Sequence, residues 1–158
     1  MSDLTHLDDS GRARMVDVSD KEATVRIATA AGTLRCQAQT LDKVRERSIP
    51  KGSVIQTAEL AGIMGGKRTS ELIPLCHPMP LTKAAVRIEM DDALPGFRVT
   101  SEVRTNAATG VEMEALTAVS VACLTLFDML KAIDRTMVIG GIEVTSKTGG
   151  KSGEWRRK

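Results

Sequence analysis

Residues 82–105 read TKAAVRIEMDDALPGFRVTSEVRT. Ala84, Val86, Ile88 and Met90 alternate with Lys83, Arg87 and Glu89, and after Leu94-Pro95-Gly96 the alternation resumes with Phe97, Val99 and Val103. A period of two places successive side chains on opposite faces of a strand, and a Pro-Gly turn reverses the chain. The stretch therefore predicts a β-hairpin with one buried face.

Upstream, TVRIATAA (24–31) is rich in β-branched residues and sets Val25 and Ile27 against Thr24 and Arg26, which predicts a strand reaching toward Cys36. Residues 40–47 predict a short helix ended by Pro50. Residues 53 to about 64 predict a second helix, with Val54, Ile55, Ala58, Leu60 and Ala61 inward and Gly65-Gly66 at its end. Downstream, Thr109 and Glu112 have the spacing of a capping box and open a long helix from Val111 to about Asp134. TMVIGGIEVTSK (136–147) predicts the last strand, interrupted at Gly140-Gly141. The order is βαββαβ, the ferredoxin-like α+β arrangement, an antiparallel sheet with helices on one face. We expect a single domain over 1–158, with a flexible N-terminal segment and a Gly-rich basic tail, TGGKSGEWRRK (148–158). A sheet bare on its second face calls for a symmetric partner.

The chain has 158 residues, a length that fits one domain with a sizeable core. Two Phe, one Trp and no Tyr leave few platforms for stacking bases, and a net charge of +2 is small. No nucleic-acid partner is expected. Three widely spaced cysteines with no CxxC pair argue against structural zinc and for reduced thiols in the cytoplasm. The polar N-terminal stretch, MSDLTHLDDSGR, resembles neither a signal nor a transit peptide, and no membrane span is expected.

Chemistry gathers in three places. ELIPLCHPMPLTK (71–83) carries Pro74, Pro78 and Pro80, which hold Ile73, His77 and Met79 out of helix and make a stiff strip. ALTAVSVACLTLF (115–127) is uncharged, so its helix is expected to be buried all round. Asp128 and Lys131 then share one face, either as an ion pair at the helix end or as a semi-buried pair tuned for proton transfer. Glu112 and Glu114 sit in the first turn, favoured there by the helix dipole, and point in different directions. The tail holds Gly150-Lys151-Ser152, but Thr145 stands where a phosphate-binding P-loop needs its first glycine. A Gly-rich loop with Lys147 and Lys151 can still offer N–H groups and ammonium donors to phosphate. Lys51 lies in a loop between Pro50 and Gly52.

MVDVSDKEATVR (15–26), KRTSELIPLCHP (67–78), TGVEMEALTAVS (109–120), DMLKAI (128–133) and GGKSG (149–153) together resemble the cyclic pyranopterin monophosphate synthases of molybdenum-cofactor biosynthesis. The likeness runs in order through nearly the whole chain. It implies a ferredoxin-like subunit in a homohexamer, a trimer of dimers with active sites at the dimer interface. It also implies conversion of 3′,8-cyclo-7,8-dihydroguanosine 5′-triphosphate to cyclic pyranopterin monophosphate and pyrophosphate. By that resemblance Asp128, Lys51 and Lys131 are catalytic. Leu75, Cys76, His77, Met113, Glu114, Glu112, Arg26 and Lys147 bind substrate. No cofactor is called for beyond Mg2+ accompanying the triphosphate. Gly65-Gly66 stand where members often carry Ala-Ala, and Ala108 where a basic residue often precedes the Thr-Gly. The alternative is a non-catalytic nucleotide-binding regulatory oligomer on the same fold, with little use for a buried Asp128–Lys131 pair. Arg26 on the first strand and Asp128 on the long helix are expected to lie on opposite sides of the sheet, so that they meet only across a subunit interface.

Overall fold

The structure, a computed structural model, describes residues 4–49 and 53–158. Strands β1 (Thr24–Arg35), β2 (Leu81–Asp91), β3 (Gly96–Ala107), β4 (Val138–Thr148) and β5 (Trp155–Arg156) form one sheet in the order β2-β3-β1-β4-β5. Every pairing is antiparallel. Helices α1 (Ala38–Arg45), α2 (Val54–Lys67), α3 (Thr69–Leu72) and α4 (Glu112–Leu130) complete the chain. The first four strands and the two long helices give the expected ferredoxin-like α+β fold. The tail adds a fifth strand: Lys147 pairs with Trp155 and Ser146 with Arg156.

The hairpin forms as its alternation requires. Phe97, Val99 and Val103 are fully buried, and across the ladder Ala28 faces Val103, Ala30 faces Ser101 and Leu34 faces Phe97. These side chains meet α4 through Ala115, Val119, Ala122 and Leu126, all fully buried. Each large apolar side chain removed from water contributes about 2 kcal/mol, so this layer is the main source of stability. Gly140-Gly141 do not end β4. They lie at a register shift opposite Ala31–Thr33, a bulge that bends a continuous strand.

Three helix expectations need correction. Gly65-Gly66 lie inside α2, which runs on to Lys67. Gly62, Gly65 and Gly66 are buried against α4, where a Cβ at Gly62 would sit 2.7 Å from the Ala118 carbonyl and one at Gly65 2.6 Å from Val121 Cγ2. The glycines let two helices approach closely. That packing also turns Leu60 outward, where it is 59% exposed. Second, α4 ends at Leu130 rather than near Asp134, and the chain turns there with Asp134 N donating to the Leu130 carbonyl. Third, α4 is not buried all round. With the sheet on one side and α2 on another, Leu124 is left 60% exposed and Met113 39%. At 19 residues α4 has the length and apolar character of a membrane span, but it is the central core helix of this fold.

Asp134, which no local pattern flags, ties the end of α4 to the start of α1. Its buried carboxylate accepts from Gln37 N, Thr40 Oγ1, Thr136 N and Thr136 Oγ1 at 2.7–2.9 Å. Burial pushes its carboxyl up, but these donors outweigh that and hold it below its ordinary value.

Candidate functional site

The first turn of α4 is the centre of one cluster. Thr109 makes no capping hydrogen bond; the N-cap residue is Val111, without a side-chain cap. Glu112 is engaged elsewhere: its Oε1 accepts from Lys147 Nζ at 2.8 Å, drawing β4 to the helix head. Arg26 lies on β1 at the same end. The alternation Arg26, Ala28, Ala30 places it on the helix-covered face, not on the opposite side of the sheet. Its Nε donates to the Ala107 carbonyl at 3.0 Å and its Nη2 to the Ala108 carbonyl at 3.1 Å.

Arg26, Glu112 and Lys147 line a cavity of about 660 Å³ together with the loop Gly149–Ser152. The loop lies directly on β1. A Cβ at Gly149 would collide with the Val25 carbonyl and one at Gly150 with the Arg26 guanidinium, and both glycines have positive φ (97° and 72°). The same wall carries Lys21 and Lys151. Thr24, also at the wall, has a buried hydroxyl with no hydrogen-bond partner among the described residues. The cavity thus sets Lys21, Arg26, Lys147 and Lys151 against the carboxylates of Asp20, Glu22 and Glu112, with Glu112 as the direct counter-charge of Lys147, and the cations can serve an anionic ligand.

Beside it lies the proline strip. Glu114 turns inward from α4, as the divergence of the two first-turn acids implies, and is 3% exposed. Its Oε1 faces Cys76 Sγ at 3.7 Å, while Oε2 has no partner among the described residues. Burial, with some help from Glu112, raises the Glu114 carboxyl above its ordinary value. Burial and the Glu114 charge push the Cys76 thiol up to about 11, so it stands as a neutral thiol rather than a thiolate. His77 Nε2 bonds to the Val16 carbonyl at 2.7 Å. Leu75 is half-buried in the same strip, and Met113 lies partly exposed next to Glu112.

Asp128 and Lys131 lie apart from all of these. They form an ion pair of 2.6 Å at the far end of α4, with side chains 62% and 55% exposed. The expectation of a buried pair fails because Asp128 lies on the outward face of α4, while Leu126, Met129 and Leu130 take the buried one. Lys51 lies outside the described residues. Among the described residues no group of three or more His, Cys, Asp or Glu side chains is placed to hold a metal ion. The sequence reading missed Thr24, the counter-ion role of Glu112 and the Val16 carbonyl. None of these has a local signal: the Glu112 and Val16 contacts join segments distant in the chain, and the Thr24 hydroxyl is buried by the tertiary packing around the cavity.

The model of the MoaC family matches residues 15–150. Among curated proteins, the "Cyclic pyranopterin monophosphate synthase" of Cereibacter sphaeroides (strain KD131) is 57% identical over 155 residues, covering 98% of this chain and 98% of that protein. Proteins of the same name from Methylobacterium sp. (strain 4-46) and Brucella ovis are each 59% identical. They cover 98% and 96% of this chain, and 97% and 92% of their own lengths. A match of this extent takes in both the cavity end of α4 and the Asp128–Lys131 end, and the chain belongs to the MoaC family.

Proposed function

We propose that the chain is a cyclic pyranopterin monophosphate synthase, acting early in molybdenum cofactor biosynthesis. It converts 3′,8-cyclo-7,8-dihydroguanosine 5′-triphosphate to cyclic pyranopterin monophosphate and pyrophosphate. The observation that carries this is the near-full-length match to relatives of that name. The alternative, a non-catalytic nucleotide-binding regulator, is not favoured.

The geometry supports a division of labour. Closing a phosphate onto a sugar oxygen while pyrophosphate leaves builds negative charge on phosphate oxygens, which cations stabilise. Lys147, Arg26 and the Lys151 loop supply such charge in the cavity. Leu75, Cys76, His77, Met113 and Glu114 receive the ring end of the substrate, with the buried Glu114 carboxyl holding a proton more tightly than an exposed carboxylate would. Asp128, Lys131 and Lys51 perform proton transfers. Because Asp128 and Lys131 lie at the other end of α4, they reach this substrate from a neighbouring subunit. The exposed Leu124 and, on α2, Leu60 and Met64 give a second copy an apolar surface to cover. A homohexamer built from dimers fits that need. Mg2+ accompanies the triphosphate, and three free cysteines fit a reducing cytoplasm.

The test is turnover. Purified protein incubated with the cyclic GTP derivative should release pyrophosphate and cyclic pyranopterin monophosphate together. A folded oligomer that releases neither, under conditions where a relative of that name is active, would overturn the assignment.

A further inference from the structure

The N-terminal segment meets the site at His77, where the Asp17 carboxylate acts on the ring through space and the Val16 carbonyl bonds to it directly. Residues 6–14 form a small hairpin: Leu7 and Ala13 form a bridge, Arg14 N donates to the His6 carbonyl, and Asp8 Oδ1 accepts from Ser10 N and Arg12 N. The chain then runs through Met15 to Val18. It turns where Asp17 Oδ1 accepts from Ser19 N at 2.9 Å and Lys21 N donates to the Val18 carbonyl. Val16 and Val18 are half-buried while their neighbours are exposed. Between them the chain sets the Val16 carbonyl 2.7 Å from His77 Nε2.

A carbonyl oxygen has no proton to give, so in this bond Nε2 must be the donor. A neutral imidazole that carries its proton on Nε2 has none on Nδ1. We propose that the Val16 carbonyl, delivered by the N-terminal segment, fixes His77 as the Nε2–H tautomer, so that its bare Nδ1 is the hydrogen-bond acceptor presented to a donor group on the substrate ring. The substrate part of this rests on the synthase reading; the tautomer part stands on the contact alone. Two constraints converge on the same ring. Pro78 restricts the backbone of His77 from the C-terminal side, and the Val16 carbonyl fixes the ring from across the chain, 61 residues away. A ring so held keeps one lone pair in one direction. A donor on a purine- or pterin-like ring, an N–H or an exocyclic amine, is the chemistry that lone pair recognises. Val16 is thus a positioning residue that acts through His77.

The chain has only two histidines, and His6 is exposed, which gives an internal control. Full-length protein labelled with ¹⁵N-histidine is examined by long-range ¹H–¹⁵N correlation at alkaline pH, where imidazoles are neutral. His77 should show only the Nε2–H tautomer, with an Nε2 proton that exchanges with water far more slowly than that of His6. A protonated Nδ1, or exchange as fast as at His6, would overturn the proposal. His77→Gln provides the second readout, since its side-chain amide can still donate to the Val16 carbonyl but has no lone pair where Nδ1 was. It should keep the wild-type melting temperature and lose at least tenfold in kcat. A variant that retains most of its turnover would overturn the acceptor role. If the wild-type enzyme itself gave no turnover, the synthase reading would fall, while the spectroscopic result would still decide the tautomer.

Discussion

Glu112 and Asp128 stand at opposite ends of a single continuous helix, α4. With a rise of about 1.5 Å per residue, the sixteen steps between them span about 24 Å. Glu112 holds Lys147 at the cavity, and Asp128 holds Lys131 on an exposed helix end. No side chain is long enough to close that gap within one chain. The two ion pairs, and the candidate site residues around them, therefore form two groups on separate parts of the fold.

The cavity group should behave as an electrostatic seat. Lys147→Met should weaken binding of a triphosphate, measured by calorimetry with GTP, by about tenfold at low salt and by less at high salt, because screening already weakens the attraction. A loss that does not change with salt would mean that Lys147 acts by shape rather than charge.

Glu114 costs the fold stability as pH rises rather than as it falls. Its folded carboxyl titrates above the ordinary value of 4.5, so the native state binds its proton more tightly than the unfolded chain does. The penalty is absent below the unfolded value and grows as pH rises toward the folded one. Glu114→Gln should therefore raise the melting temperature at neutral pH and leave it unchanged near pH 3. Equal melting curves at all pH values would show that burial does not raise the Glu114 carboxyl.

Asp134 has the opposite sign. Its folded carboxyl titrates below the ordinary 3.8, so its stabilisation is present above that value and is lost as pH falls through the folded one. Asp134→Asn leaves several donors facing a poorer acceptor. It should cost about 3 kcal/mol at neutral pH by chemical denaturation, with the difference shrinking in acid. A cost that stays constant with pH would place the effect in packing instead.

The α2–α4 contact predicts that two neighbouring glycines respond differently. A Cβ at Gly62 meets the Ala118 backbone at 2.7 Å, whereas at Gly66 the nearest atom, the Glu114 carbonyl, is 3.2 Å away. Gly62→Ala should destabilise by about 1–2 kcal/mol despite its better helix propensity, and Gly66→Ala should be close to neutral. Denaturant midpoints measure both, and a stabilised Gly62→Ala would contradict the close packing.

What could be read from the sequence was whatever repeats locally. The alternation in 82–105 located the hairpin and its buried face, because strand burial has a period of two. The uncharged run in α4 identified the core helix, but not its exposed side, since that depends on where α2 lies. Glycines in α2 read as a helix end because glycine is a poor helix former; their value lies in contacts with α4, 48 or more positions away. Glu112 fitted a capping pattern, but a cation on β4, 35 residues on, provides a partner that no local spacing reveals. The Asp134 clamp and the Val16–His77 bond join residues 94 and 61 apart and were illegible for the same reason.

The division of the site between subunits is the central claim, and subunit mixing tests it most directly. Arg26→Ala removes a cation from the cavity group, and Asp128→Asn disables the other end of α4. Each homo-oligomer should have nearly lost pyrophosphate release. Mixed under conditions that allow subunit exchange, they should regain activity, because some interfaces then pair an intact Arg26 with an intact Asp128. Exchange verified by mass spectrometry with no recovered turnover would contradict a site shared across the interface.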